Sequence, residues 1–248
     1  MIARLATLRN FVLDQTAPDF ANPSNPGQIN VTVDATPAAP GGALVFDSFS
    51  RNNSTYILGG KGGLGSTEAG SVGAQVWQTN LSAGELQPLG ILAGHAVLLA
   101  NDAAVAWVST GASTGDLDVR ADRTLGKYGS GHNTGLSFRV VDKNNFFFAY
   151  TSDAPNNPAQ PKKLWLGYYQ SGVSTFLLKG LSIPSSSWKT LRVLTTQAGG
   201  ISVYADKVQV YSTTSPVFAS ATGAGLFNNA AGLNLTNRWD NFTVLGVP

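Results

Sequence analysis

From Ala43 onward, apolar residues alternate with polar ones in short runs, and each run closes on Gly, Asn, Asp, Ser or Pro. A period of two fits a half-buried strand, and helical periodicity is almost absent from this stretch. Residues 136–141 and 146–151, separated by the turn-forming Asp142-Lys143-Asn144-Asn145, predict a hairpin. Further strands are predicted over 163–170, 174–179, 190–196, 200–205, 207–212 and 238–245. Strands so regularly spaced and tightly joined predict an all-β fold, an antiparallel sandwich or jelly roll of two sheets. Alternation assigns Phe146, Phe148 and Tyr150 to the core with Leu164, Leu166 and Tyr168, and sends Phe147, Trp165 and Tyr169 to the opposite face.

Residues 1–42 have a different character. Ile2, Leu5, Leu8 and Val12 recur at helical spacing with Arg4 and Arg9 between them, which predicts an amphipathic helix over 2–13. A Pro-rich stretch follows to Gly42, broken by one alternating triplet, Ile29, Val31 and Val33, that predicts a short strand. The division is a helical and Pro-rich arm over 1–42, suited to docking, and a β domain over 43–248. The arm is expected to fold back on its own domain or to dock on a neighbouring subunit.

Composition excludes several classes of function. Sixteen basic and 14 acidic residues leave a formal charge of +2 with no basic stripe, so binding to a nucleic-acid backbone is not expected. The chain has no Cys, which removes disulfide scaffolds and thiolate metal sites. No apolar run reaches the roughly 18 residues of a membrane helix, and the opening MIARLATLRNFVLDQ lacks the unbroken apolar core of a secretory signal. The expected protein is soluble, or part of a soluble assembly, with no membrane partner. Only 12% of residues are charged and 28 are Gly, as in a turn-rich β protein with a neutral surface.

Several short motifs follow one another along the chain: D-x-F-x-R-x-x-S at 47–54, GLSFRVVDKNNFFFAY at 135–150, SSWKTLRV at 186–193, GGISVYADKVQVY at 199–211, GLFNNAAG at 225–232 and RWDNFTV at 238–244. In this order they resemble the concanavalin-A-like lectin/glucanase (laminin-G-like) jelly roll, in the version found in virion proteins of tailed bacteriophages. The resemblance covers residues 45–246. It implies that the first and last strands of the domain lie side by side, bringing Asp47 and Asp240 together at a seam. Two carboxylates there repel unless a cation joins them, and the resemblance implies a structural calcium held by Asp47 and Asp240. The alternative is that each carboxylate accepts hydrogen bonds from turn backbone or from Arg51 and Arg238.

Catalytic members of the superfamily carry two glutamates on one strand, the machinery of glycoside hydrolysis. This chain has only Glu68 and Glu85, in no such arrangement. Asp116 and Asp118 in DLDVR fit an alternating surface strand; His95 lies in an apolar run and fits a core position, and His132 lies in a loop. No enzyme is expected. Sugars stack on aromatic rings, and Phe147, Trp165 and Tyr169 are the candidate carbohydrate-binding residues, on a face that a neighbouring protein could cover instead. The resemblance implies a non-enzymatic structural or decoration protein of a phage head, tail or fibre. Its arm would bind other virion proteins, it would form a homo-oligomer in the particle, and its lectin-like domain would be displayed on the virion surface. Two alternatives stand beside this: a receptor-binding protein for host surface glycan, and a glycan depolymerase.

Overall fold

The alternating runs become strands because pairing satisfies their backbone groups while one face of each is buried. The computed structural model describes residues 11–13, 31–33, 41–55, 62–80, 87–99, 104–124, 133–152, 163–183, 188–228 and 234–247, and every regular element among them is a β-strand. One sheet has seven strands in the order β12 (Val173–Ser182), β11 (Lys163–Gln170), β10 (Asn145–Ser152), β9 (Asn133–Asp142), β16 (Gly223–Asn228), β7 (Ala104–Val108) and β4 (Gln78–Thr79). The other runs β15 (Val208–Thr214), β14 (Gly200–Ala205), β13 (Thr190–Thr195), β8 (Leu117–Thr124), β17 (Asn234–Gly246), β6 (His95–Leu98) and β5 (Leu89–Leu92), with β3 (Ala43–Asp47) also paired to β17. All pairings are antiparallel, and Phe242 of β17 stands opposite Asp47 of β3. The first and last strands of the sandwich are therefore neighbours.

Within the arm, β1 (Phe11–Leu13) pairs with β2 (Val31–Val33), Phe11 opposite Val33. This corrects the helix predicted through Val12; residues 1–10 lie outside the described residues. A three-turn helix is marginal alone, whereas Phe-Val-Leu and Val-Thr-Val are good strand formers that satisfy each other's backbone. The strand predicted around Val31 and Val33 is present.

The inter-sheet core is built from Val45, Leu136, Phe138, Leu166, Val193 and Phe242, among others. The face assignment of β10 is corrected here. Pairing sets Phe147 opposite Tyr168 and Ala149 opposite Leu166, with Phe146 opposite Tyr169 and Tyr150 opposite Trp165. Phe147 thus joins Leu164, Leu166 and Tyr168 in the core and is fully buried, while Phe146, Phe148 and Tyr150 share the outer face with Trp165 and Tyr169. Alternation fixes the two faces within one strand but not the phase between strands; register decides that.

A bulge in β9 places Arg139 at φ +47° and breaks the alternation, so that Phe138 stays in the core while Val140 turns to the outer cluster. The buried guanidinium between them donates to the carbonyls of Ser215 (2.8 Å), Thr196 (3.1 Å) and Gly200 (3.0 Å). It thereby ties the seven-stranded sheet to turns of the other one. Burial lowers its pKa to about 10, so it remains charged at neutral pH.

Candidate functional site

The outer face of the seven-stranded sheet carries an apolar cluster separate from the core: Val105, Trp107, Val140, Phe146, Phe148, Tyr150 and Phe227. Glycines make room for the rings. A Cβ on Gly135 would lie 2.6 Å from the Cβ of Tyr150, and one on Gly167 would lie 2.8 Å from Cζ of Phe148. The rings therefore lie down over positions that carry no side chain. Phe148 stacks on Phe227 at 4.9 Å and 16°, Tyr150 on Trp165 at 6.0 Å and 11°, and Phe146 on Tyr169 at 5.0 Å and 23°. Phe148 and Phe227 are each 1% exposed and form the floor, while the half-buried Trp165, Tyr169 and Phe176 pack against it as a rim. Trp165 Nε1 donates to Ser152 Oγ at 3.2 Å, which orients the indole. Burial pushes the Tyr169 phenol above its ordinary pKa, so at neutral pH it is an uncharged donor.

A cleft of about 250 Å³ opens beside these rings, lined by Phe146, Tyr169 and Phe227 and by the polar Asn80, Lys143 and Asn144. Two hairpin tips shape it. Ser171 and Gly172 both have positive φ, +53° and +78°, the conformation of a tight two-residue turn that suits the right-handed strand twist. The neighbouring tip is tied to this one: Gly172 N donates to Asn144 O at 3.0 Å, and Ser171 N to Asn145 Oδ1 at 2.9 Å. Asp142 accepts from Asn144 N and from the Asn145 amide, closing its own turn. Asn80 lines the cleft, and its Oδ1 is buried with no hydrogen-bond partner among the described residues. None of the described lining residues is Asp or Glu. The sequence pointed to Trp165 and Tyr169 but not to Phe176, Phe227, Asn80 or Lys143. Their available signal was the run of glycines at 135, 167 and 225 between aromatic strands.

The seam is built differently. Fully buried Asp47 accepts at Oδ1 from Phe49 N (2.8 Å) and Arg51 Nη1 (2.6 Å), and at Oδ2 from Arg51 Nη2 (2.8 Å) and Trp77 Nε1 (2.7 Å). A carboxylate offers about four lone-pair positions, and protein donors take them all. Burial raises the Asp47 pKa while Arg51, Trp77 and the Phe49 amide oppose it. Glu68 accepts from Ser48 N at 3.0 Å and lies 3.5 Å from Arg51 Nη1.

Asp240 takes no part in this network. It follows the core residue Trp239 and so faces outward, its side chain 30% exposed and 3.6 Å from His95 Nδ1. Asp47 faces inward with Val45. The two carboxylates stand on opposite faces of one sheet and do not fit a shared calcium; among the described residues no group of three or more His, Asp or Glu is placed to hold a metal. Burial raises the Asp240 pKa, the Asn241 amide and His95 oppose it, and Asp122 and Glu68 add to it. His95 was expected in the core and instead shares the outward side with Asp240, because the run HAVL is apolar on both faces of β6. Asp118 is held by Arg192 through two bonds of 2.8 Å, and Asp116 accepts from Gln197 N. His132 and Glu85 lie outside the described residues.

No family model matches the chain, and no curated protein matches it. Solved structures are similar to it. The GH43 protein BlXynB of Bacillus licheniformis is 14% identical with a TM-score of 0.51, over 88% of this chain and 42% of that one. The carbohydrate-binding module CBM66 from Bacillus subtilis is 17% identical with a TM-score of 0.49, over 68% of this chain and 95% of that one. A Bacillus licheniformis beta-glucanase is 11% identical with a TM-score of 0.47, over 82% and 96%. The fold is the concanavalin-A-like jelly-roll sandwich.

Proposed function

We propose that this concanavalin-A-like sandwich is a non-enzymatic sugar-binding module, displayed on the surface of a tailed-phage particle and joined to other virion proteins through residues 1–42. The binding part of the reading is carried by one observation: half-buried Trp165, Tyr169 and Phe176 stand on an aromatic floor, beside a cleft whose polar groups are an amide, a lysine and a hairpin tip. Such rings take the apolar face of a sugar, and the polar groups meet its hydroxyls. The cleft falls just below the roughly 300–1,000 Å³ of pockets for drug-sized ligands, so it suits one residue of a longer glycan. The lack of a carboxylate pair among its described lining residues supports binding without hydrolysis. The particle setting rests on the motif resemblance alone.

Trp165→Ala tests the module. Adsorption to a panel of immobilised polysaccharides should be lost, while stability falls by about 2–3 kcal/mol, from two ring contacts and the half-buried indole surface, and the chain stays folded. A second reading, decoration through protein contacts, is favoured by Val141 and Val173, 56% and 69% exposed at the two hairpin tips. A stable Trp165→Ala chain with unchanged adsorption would leave that reading standing and remove the first.

A further inference from the structure

We infer that the ligand of the aromatic face is an acidic polysaccharide, a glycan carrying carboxylate, sulfate or phosphate groups; the inference rests on the sugar-binding reading above. The formal charge of +2 is unevenly spread. Lys163 shares the outward phase of Trp165 on β11, and both border Gly180, whose added Cβ would lie 3.5 Å from Lys163 Cδ and 3.7 Å from Trp165 Cζ2. Lys179 Nζ lies 5.3 Å over the ring of Phe176. Lys143 lines the cleft beside Phe146 and Tyr169. All three side chains are exposed and border the rim rings or the cleft beside them.

The same sheet offers them little countercharge. Asp142 is the one acidic residue in its seven strands; its charge acts on the adjacent Lys143 and leaves Lys163 and Lys179 without a carboxylate in the strands beside them. Among the described residues none of the three lysines has a carboxylate within ion-pair distance. The other sheet holds Asp47, Asp118, Asp122 and Asp240 in its strands. An acidic glycan lying along β11 would find rings for its sugar faces, with Lys163 and Lys179 toward one end of the strand and Lys143 toward the other. A nucleic acid fits less well, since its backbone needs a continuous basic groove and these lysines fall into two groups, Lys163 and Lys179 near the start of β11 and Lys143 near its end.

Affinity electrophoresis through gels containing polygalacturonate, alginate or hyaluronan, with methyl-esterified polygalacturonate and dextran as neutral counterparts, tests this on the full chain. Wild type should be retarded by at least one acidic gel and released between about 20 and about 300 mM salt, as screening shortens the reach of the lysines. K143Q/K163Q/K179Q should weaken that retention roughly tenfold, the sum of three screened contacts. K189Q/K207Q, on the opposite sheet, should not, and Trp165→Ala should abolish it. Retention only in the neutral gels, sensitive to Trp165→Ala and indifferent to the lysine changes, overturns the acidic ligand and keeps the sugar-binding reading. Retention in acidic gels that ignores Trp165→Ala and is matched by binding to single-stranded DNA means charge alone, and overturns both. No retention in any gel also overturns both.

Discussion

The seam and the aromatic face each gather polar and aromatic side chains, and they differ in where the polar atoms end. At the seam, both oxygens of Asp47 are closed off by donors from the same chain, with Trp77 tilted against Phe49 and Phe242 at 5.9 and 5.1 Å. On the aromatic face, rings contact rings, and the cleft beside them carries the exposed Lys143 and Asn144. Closed polar groups stabilise the fold; open ones cost stability unless something outside the chain meets them. An Asp among aromatics in a strand is thus, at the seam, an architectural device, whereas the aromatic face keeps half-buried rings and exposed lysines open to solvent.

The comparison can be broken most decisively at Phe147. As a core residue on the strand that also feeds the aromatic face, Phe147→Ala should cost about 3–5 kcal/mol in denaturant unfolding. A loss well under 1 kcal/mol would return Phe147 to the outer face and undo the register on which the site is built. Asp47→Asn should come next. Removing one partner of a buried pair costs about 3–5 kcal/mol, and the value belongs at the low end because the Arg51 side chain stays 23% exposed. Binding by the folded fraction should be unchanged, and chelator should leave the thermal midpoint of both chains where it was. A midpoint that drops in chelator for wild type alone would show a cation at the seam after all.

The smallest effect sharpens the contrast between the seam's two faces. Because the Asp240 pKa is raised on folding, mainly by burial, the folded chain binds a proton there more tightly than the unfolded chain. Stability should therefore fall as pH rises from the ordinary carboxylate value through the raised one. Asp240→Asn should flatten that fall and leave stability at neutral pH equal or slightly higher, within about 0.5 kcal/mol for a partly exposed site. A loss of stability at neutral pH in Asp240→Asn, with the pH slope unchanged, would mean that the carboxylate is held as tightly as Asp47.

Much of the sandwich could be read before any coordinates. The hairpin of β9 and β10 was visible because Asp142-Lys143-Asn144-Asn145 interrupts two clean alternations, and the β3–β17 pairing followed from the motifs at the two ends. The phase of β10 was not legible, since Phe146, Phe147 and Phe148 are alike in hydrophobicity and the strand is apolar on both faces. The cleft was hidden for another reason. Asn80, Lys143, Tyr169 and Phe227 come from four separate segments, and only pairing across the sheet brings them to one wall. Trp77 as a partner of Asp47 was likewise out of reach, because nothing near residue 77 indicates the strand it will donate to.

The seam also sets an order of events during synthesis. One edge of β3 is met early, by Phe46 N bonding Ala69 O and Ser71 N bonding Ala43 O, but its other edge waits for β17, the last strand of the sandwich to be made. Until then the nascent chain carries an open strand edge and a half-covered core, the features that invite association with other chains. Closure of the sandwich therefore waits until β17 has cleared the ribosome, and a polysome crowded with such chains needs either fast closure or a chaperone to keep neighbouring copies from pairing in place of that strand.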